Sequence, residues 1–404
     1  MRKDDEKINK NKLWTKEFLI NSMIMFIVML VYYQLMAIIA MHSVDNLGAS
    51  SSSAGLAAGI FMLAALTARV FSGKFIEYVG RKRMFLAGII FYLFATALYF
   101  GAENLILLFI IRIIHGIGFG IATTSAMTIA AGIIPSSRRG EGMSYFNLSI
   151  TLASAIGPSL GIYLYDYSSF SIILLISSIL LVAGFFATLF LKVPEVELSS
   201  EQIAEMTSFK LNKLFEVKVL PLAVVGLMTF FAYASIISFL SSYVNEVNLV
   251  RAGSVFFIVY SVAMLISRPI TGRWFDSKGE NLVMYPAFLS FAFGLIIISQ
   301  AHNSFTILAA AVFMGIGFGT FASCGQAIAI KLVPEHRMGI ATSTFISISE
   351  MGIGMGPFFL GMLIPLVGFR GLYLTMSVIV ISAMALYYFV HGKDNGEKEE
   401  QRAA

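Results

Sequence analysis

Glu350, Arg112 and His115 fall well inside long apolar stretches, where each needs a chemical reason to be. Glu350 sits in Phe345-Ile-Ser-Ile-Ser-Glu350-Met-Gly-Ile-Gly-Met-Gly356, about ten residues into such a stretch. At ~1.5 Å per residue this is ~15 Å, the middle of a ~30 Å hydrocarbon layer. A charged side chain there costs about 3 kcal/mol or more, so the carboxyl must be protonated or meet a cation. A carboxyl that loads and releases a proton is what a proton-driven carrier requires; the plainer role is a permanently neutral group bonded to a neighbouring helix. Arg112 lies within another apolar run and needs a counter-charge or several carbonyl acceptors. Its plainest role is structural, bonded to backbone or to groups such as Gln34. His115, one helical turn on, titrates near neutral pH and is a candidate relay, against the commoner role of a hydrogen-bonded packing residue. Glu141 and Asp166 fall near the ends of their apolar runs, where water reaches them, and are given no role.

The elements that position these groups follow from composition. The chain has 404 residues, 58% of them hydrophobic and 13% charged, with mean hydropathy +0.83. That is too little charge for a soluble surface, and apolar runs long enough to span a bilayer recur along the whole length. The expected fold is an all-α polytopic membrane protein. Twelve spans are expected, at roughly 18–41, 52–72, 84–101, 104–132, 143–165, 169–191, 220–243, 252–271, 282–300, 303–330, 340–364 and 371–391. They divide into an N-terminal six-helix bundle (1–191), a polar linker (192–219) with a surface helix expected around Glu201 to Lys213, and a C-terminal six-helix bundle (220–404). The charged N-terminus lacks a cleavable signal pattern, so the first apolar run is expected to stay as a span. Lys and Arg number 23 on the side holding both termini and the linker, and two, Arg251 and Arg370, on the other. The positive-inside rule makes the first side cytoplasmic.

The net charge of +5 is confined to those loops and gives no reason to expect nucleic acid. The single cysteine, Cys324, excludes an internal disulfide. No phosphate-cradling G-x-x-x-x-G-K-[ST] loop is present. Gly116-x-Gly-x-Gly120 lies inside a span and lacks the strand–turn–helix setting of a nucleotide loop. Neither a metal cluster nor a soluble enzyme domain is legible, so no catalysis, cofactor or metal is expected.

The chain is written twice. Arg69, Gly73, Glu77 and Gly80 fall on Arg268, Gly272, Asp276 and Gly279 at a constant offset of 199 residues. Gly116–Gly120, Pro135, Arg138 and Gly157-Pro158 fall on Gly315–Gly319, Pro334, Arg337 and Gly356-Pro357 at the same offset. An even number of spans per half gives a parallel repeat about an axis along the membrane normal, with the substrate site expected near the midplane between halves.

These motifs resemble those of the major facilitator superfamily over nearly the whole chain. Gly73-x-x-x-Glu77-x-x-Gly80-Arg81-Lys82 matches the family's loop between spans 2 and 3, with Glu for the usual Asp and Tyr78 for a basic residue. The second copy keeps Asp276 and loses the basic pair. Arg112-x-x-His115-Gly116 resembles the fourth-span motif of proton-coupled members, which implies a part for Arg112 in proton transfer or substrate orientation, and Gly157-Pro158-x-x-Gly161 resembles the fifth-span motif of antiporters, echoed by Gly356, Pro357 and Gly361. Together they resemble a twelve-span drug:proton antiporter. The resemblance implies that the first loop clasps the start of span 11, at Met338-Gly339-Ile340, and helps close the cytoplasmic side. Glu77 is expected to pair with Arg69, with a neighbouring span, or with that helix N-terminus. It also implies a cavity lined by spans 1, 4, 7 and 10, with Tyr32, Tyr33, Gln34, Thr123, Phe230, Phe231, Tyr233 and Gln326 as candidates beside Arg112 and His115. The glycines of the fifth-span motif allow close helix approach.

The expected function is proton-coupled efflux of small amphipathic compounds by a monomer in a bacterial cytoplasmic membrane. The alternatives are a proton-coupled transporter of one metabolite (a sugar, organic acid or siderophore-like compound) and a lipid flippase.

Overall fold

The structure is a computed structural model and describes residues 12–207 and 214–393. Among these residues the regular elements are all helices: α1 Lys16–Leu47, α2 Ser51–Val79, α3 Arg81–Leu98, α4 Leu105–Ile133, α5 Arg139–Tyr167, α6 Phe170–Leu189, a short α7 Ser200–Thr207, α8 Leu220–Glu246, α9 Val250–Lys278, α10 Asn281–Ser299, α11 Ser304–Lys331 and α12 Met338–Tyr387. The linker helix expected to reach Lys213 is helical over Ser200–Thr207, and residues 208–213 lie outside the described residues, as do 1–11 and 394–404 with their basic side chains.

The twelve expected spans appear as eleven helical runs. The difference lies in α12, whose 50 residues would measure ~75 Å, more than twice the hydrocarbon thickness. Gly368 breaks the run with φ 67°, ψ 176°, a left-handed backbone that glycine adopts without strain, and so separates the spans expected at 340–364 and 371–391. Polar residues at the ends of the other helices do the capping work expected of them. Thr15, Ser50, Asn104, Ser169 and Asn303 each accept a backbone N–H from the first turn that follows.

The helices form two compact units. One comprises residues 1–135, 149–216 and 333–343; the other comprises 136–148, 217–332 and 344–404. In each, the Gly-x-Gly-x-Gly stretch is a packing device. A Cβ on Gly116 would lie 2.3 Å from the Phe61 carbonyl oxygen, and one on Gly118 2.5 Å from the Tyr92 nitrogen, so α4 touches α2 with one face and α3 with the next. In the other unit Gly315 meets the Tyr260 carbonyl oxygen at 2.4 Å and Gly317 the Phe291 nitrogen at 2.4 Å, the same pairs displaced by the repeat. Because the obstructing atoms are backbone, Gly116→Ala forces the helices apart, and a destabilisation of about 1–3 kcal/mol is expected. A lowered thermal unfolding midpoint in detergent checks this, with Gly55→Ala, where a Cβ meets open space, as the unchanged control.

Candidate functional site

Arg112 and His115 share one aromatic box in the first unit. Arg112, the eighth residue of the 29-residue α4, lies nearer that helix's N-terminus than its middle, so it is less central than the apolar run implied. It is 1% exposed. Its Nε donates to the Ala57 carbonyl at 2.6 Å, its Nη2 reaches the Met36 sulfur at 3.1 Å, and its guanidinium sits 4.4 Å over the Phe61 ring. Nη1 donates to the Tyr99 hydroxyl at 3.4 Å. His115 stacks on Tyr92 at 4.2 Å. Thr96 spends its hydroxyl hydrogen on the Tyr92 carbonyl at 2.8 Å, so it accepts from His115 Nε2 at 3.2 Å. His115 Nδ1 then faces the Tyr99 hydroxyl at 3.3 Å as acceptor. The hydrogens run in one direction, from Arg112 through Tyr99 and His115 to Thr96.

Of the expected cavity residues in this unit, Tyr32 joins the box, stacked on Phe119 at 4.7 Å and Phe61 at 5.4 Å, with Tyr33 4.8 Å from it. Thr123 turns its hydroxyl onto the Phe119 carbonyl of its own helix, 2.8 Å away. Gln34 is fully buried, and neither amide atom of its side chain has a hydrogen-bond partner. The box members Phe61, Tyr92, Tyr99 and Phe119 were not expected. A signal for three of them was available: the 199-residue offset places Phe61, Tyr92 and Phe119 on Tyr260, Phe291 and Phe318, aromatic at every position.

The second unit repeats the box without its charges. Tyr233 stacks on Phe318 at 3.9 Å and on Tyr260 at 5.8 Å, and Phe230 and Phe291 lie 4.9 and 5.7 Å from Phe318. Phe231, in contrast, offers its backbone to Gly352. Arg112 and His115 map onto Ala311 and Met314, so the polar pair belongs to one repeat alone. Gln326, 3% exposed, accepts from Asn147 Nδ2 at 3.4 Å.

Glu350 is half-buried on α12, twelve residues past Met338, beside buried Ser347 and Ser349. A Cβ on Gly226 would meet the Ser349 hydroxyl at 2.1 Å, so α8 presses against the turn that carries Glu350. The glycines beyond it extend this seam, Gly352 against Leu227 and Phe231 and Gly356 against the Ala234 side chain, while Gly361 reaches Phe239 more loosely. In the first unit Gly157 meets Tyr33 Cβ at 2.6 Å and Gly161 the Gln34 carbonyl at 2.7 Å. The antiporter-like glycines thus bring α5 onto α1 and the first part of α12 onto α8.

The motif expected as a loop is helical through Val79, and its second copy through Lys278; only Gly80 and Gly279, both at φ 97°, form the turns. Arg69, Gly73 and Glu77 therefore stand on one face of α2, as Arg268, Gly272 and Asp276 do on α9. Glu77 pairs with neither Arg69 nor the Met338 N-terminus. Arg81 holds it with three contacts of 2.8–3.1 Å, because residues four apart across the turn bring fork and carboxylate face to face. Arg81 Nη2 also donates to the Glu335 carbonyl at 3.2 Å. The contact with the start of α12 is made instead by Gly73, where a Cβ would lie 2.8 Å from the Gly339 carbonyl oxygen. The linker completes the cluster. Glu195 accepts the Arg81 and Lys82 backbone N–H groups at 2.9 and 3.3 Å, supplying the cap that Gly80 cannot, and Glu216 pairs with Arg337 at 2.5 Å. Arg69 lies 5.5 Å from the Phe119 ring centre, and Lys82 donates to the Leu189 carbonyl at 2.8 Å.

The second copy is wired differently. Asp276 accepts the Gly140 and Glu141 N–H groups at 2.9 and 2.8 Å, sitting on the α5 N-terminus. Arg268 donates to the Asn147 carbonyl at 2.6 Å. Glu141, given no role from the sequence, is 5% exposed and held between Arg138 and Arg273 at 2.6 and 2.8 Å.

Beyond the turn, Glu280 meets His391 at 2.6 Å and Lys331 at 3.1 Å. Burial works to raise its carboxyl, but the His391 hydrogen bond and the Lys331 charge outweigh it, leaving Glu280 below the usual glutamate range. A depressed folded-state value stabilises the fold above the ordinary glutamate range, and that stability is lost as pH falls through the depressed value. Glu280→Gln should therefore lower the unfolding midpoint at neutral pH, and the gap from wild type should close as the buffer is taken below about pH 4.

The family model for the Major Facilitator Superfamily matches residues 22–298 and 249–404, and the chain belongs to that family. An uncharacterized MFS-type transporter of Methanocaldococcus jannaschii is 25% identical over 356 residues, 85% of this chain and 90% of that protein. The staphylopine export protein of Staphylococcus aureus is 22% identical over 362 residues, 85% and 88% of the two chains. Multidrug resistance protein 1 of Bacillus subtilis is 22% identical over 329 residues, 79% and 82%. Among solved structures, the human organic anion transporter MFSD10 (TETRAN) superposes with a TM-score of 0.75 at 14% identity, covering 92% of this chain and 98% of that one. FucP, in the outward conformation, gives 0.75 at 15% identity, covering 94% and 99%. The protein is a multi-pass membrane transporter of small molecules with the major facilitator fold.

Proposed function

We propose that the protein exports small amphipathic compounds from a bacterial cell by proton antiport and alternating access, as a monomer with both termini in the cytoplasm. One observation carries this reading: Glu350 stands half-buried in α12, twelve residues from its start, in a seam of buried serines and glycines. Its repeat partner is Thr151, so the duplication does not account for the acid. In the proposed cycle Glu350 takes a proton from outside, the change in charge permits substrate release, and loss of the proton inward readies the carrier for new cargo. The Arg112 network sets the field around the pathway. The relatives named for multidrug resistance and for staphylopine export lean towards export. The transporter kinship also supports the view that the chain carries out no catalysis.

The test is reconstitution in liposomes with an imposed pH gradient and a panel of lipophilic dyes and metabolites. Gradient-dependent movement of the dyes supports the proposal, and gradient-independent equilibration of every compound sinks it. A second reading, transport of one defined metabolite, rests on the positive charge of Arg112, which is special to the first repeat and suits an anionic group more than a cation. Competition by anionic but not cationic compounds would select it.

A further inference from the structure

An open recess of about 580 Å³ runs along the outside of the first unit, between α2 and α4. Its wall on α2 is a single stripe, Ile60, Leu63, Thr67 and Phe71 continuing to Phe75, and α4 contributes Ile113 and Ile117. The two helices approach most closely along Gly116 and Gly120, and the side chains flanking that seam on this side leave the trough. Its hydroxyls offer an occupant no hydrogen-bond donor: Thr67 donates to the Leu63 carbonyl at 2.9 Å, and Ser72 to that of Ala68. A polar or drug-like ligand would lose its hydration here without compensation. From Ile60 to Phe75 the stripe measures ~22 Å, enough for a chain that fills one leaflet, ~15 Å of hydrocarbon.

The trough has one charged end. Phe75 and Met84 line it there, and Met84 follows Arg81-Lys82-Arg83 in the first turn of α3. Arg81 is committed to Glu77, and the Lys82 ammonium to the Leu189 carbonyl. Glu195 already occupies the N–H groups of that turn. Arg83, the residue before Met84, is exposed.

We propose that this trough is a binding site for one anionic phospholipid, its acyl chain lying along α2 and α4 and its phosphate on Arg83. The inference needs only that the chain spans a bilayer and is independent of coupling or export. The test is native mass spectrometry of the full-length protein after gentle delipidation in mixed micelles of phosphatidylglycerol and phosphatidylcholine. Wild type should retain one phosphatidylglycerol and little phosphatidylcholine. Thr67→Phe, which fills the trough from an exposed position, and Arg83→Gln should each lower that retention about tenfold, while Thr67→Val, which keeps the trough open, should retain it. Equal retention by wild type and Thr67→Phe would overturn the site. Unchanged retention in Arg83→Gln, or equal retention of the two lipids, would overturn the headgroup assignment. An amphipathic non-lipid compound recovered in place of the lipid would overturn the choice of occupant.

Discussion

Replacing Glu350 with Gln is expected to abolish transport driven by a pH gradient while the protein stays folded and still exchanges substrate across the membrane. The side chain is half-buried on α12, where Ser347 and Ser349 are buried and α8 packs on Ser349 through Gly226. Glutamine has nearly the same shape and keeps that packing, but it cannot take or lose a proton. The ~3 kcal/mol that a charge costs at a helix centre corresponds to a change on the order of a hundredfold in any equilibrium it drives. A loss of that size is expected in gradient-driven uptake, with counterflow of labelled substrate at zero gradient within a few-fold of wild type. Loss of both activities together would instead make Glu350 a structural residue. The carboxyl is special to the second repeat as Arg112 and His115 are to the first, and these asymmetries are where function should concentrate.

The second large effect is expected at Gly73. The segment 333–343 belongs by sequence to the second repeat, yet packs within the first unit, and Gly73 is where α2 receives it. A methyl group there would stand 1.9 Å from the Ser343 hydroxyl and 2.8 Å from the Gly339 carbonyl oxygen. The serine can rotate away; the carbonyl cannot. Overpacking of this kind costs about 1–3 kcal/mol, enough to change the population of a conformational state by roughly 5- to 150-fold. On the proposed cycle Gly73→Ala therefore disfavours the state in which this packing exists, and turnover should fall by about tenfold or more with little change in the unfolding midpoint. Gly272→Ala makes the matching insertion against the Gly140 carbonyl oxygen at 2.8 Å, and should act alike. Single-molecule distances between probes on the two repeats would show the shift. An unchanged distance distribution together with normal turnover would remove the gating role of the motif.

Much of the fold was legible because the bilayer imposes simple rules. Apolar runs and the fixed repeat offset located the helices within a turn or two. The first motif misled because glycine and charge read as loop, whereas Gly73 is there for a helix contact and only Gly80 for a turn. Glu77 was assigned Arg69, a neighbouring span or the start of span 11; the partner is Arg81, the first residue of the neighbouring α3, which a turn at Gly80 carries back onto it. Glu141 was dismissed because a position near a span end suggests water; Arg138 lies three residues before it, but nothing local reveals that Arg273 converges there as well. Glu195 was invisible for the same reason: its partners lie more than a hundred residues away. The aromatic box could have been found, since three of its rings are paired with rings in the second repeat, but single-sequence counting gives no weight to scattered Phe and Tyr in a chain with 36 Phe.

The central claim is that proton movement through Glu350 drives substrate movement. Its most direct test is a proteoliposome with an acidic lumen and a fluorescent lipophilic dye outside, with lumen pH and dye followed together. The account predicts that dye accumulates against its gradient as the lumen alkalinises, that a protonophore, by collapsing the pH gradient, abolishes the accumulation, and that Glu350→Gln shows neither dye accumulation nor the coupled alkalinisation. Dye accumulation that persists without a pH gradient, or at full rate in Glu350→Gln, would contradict it.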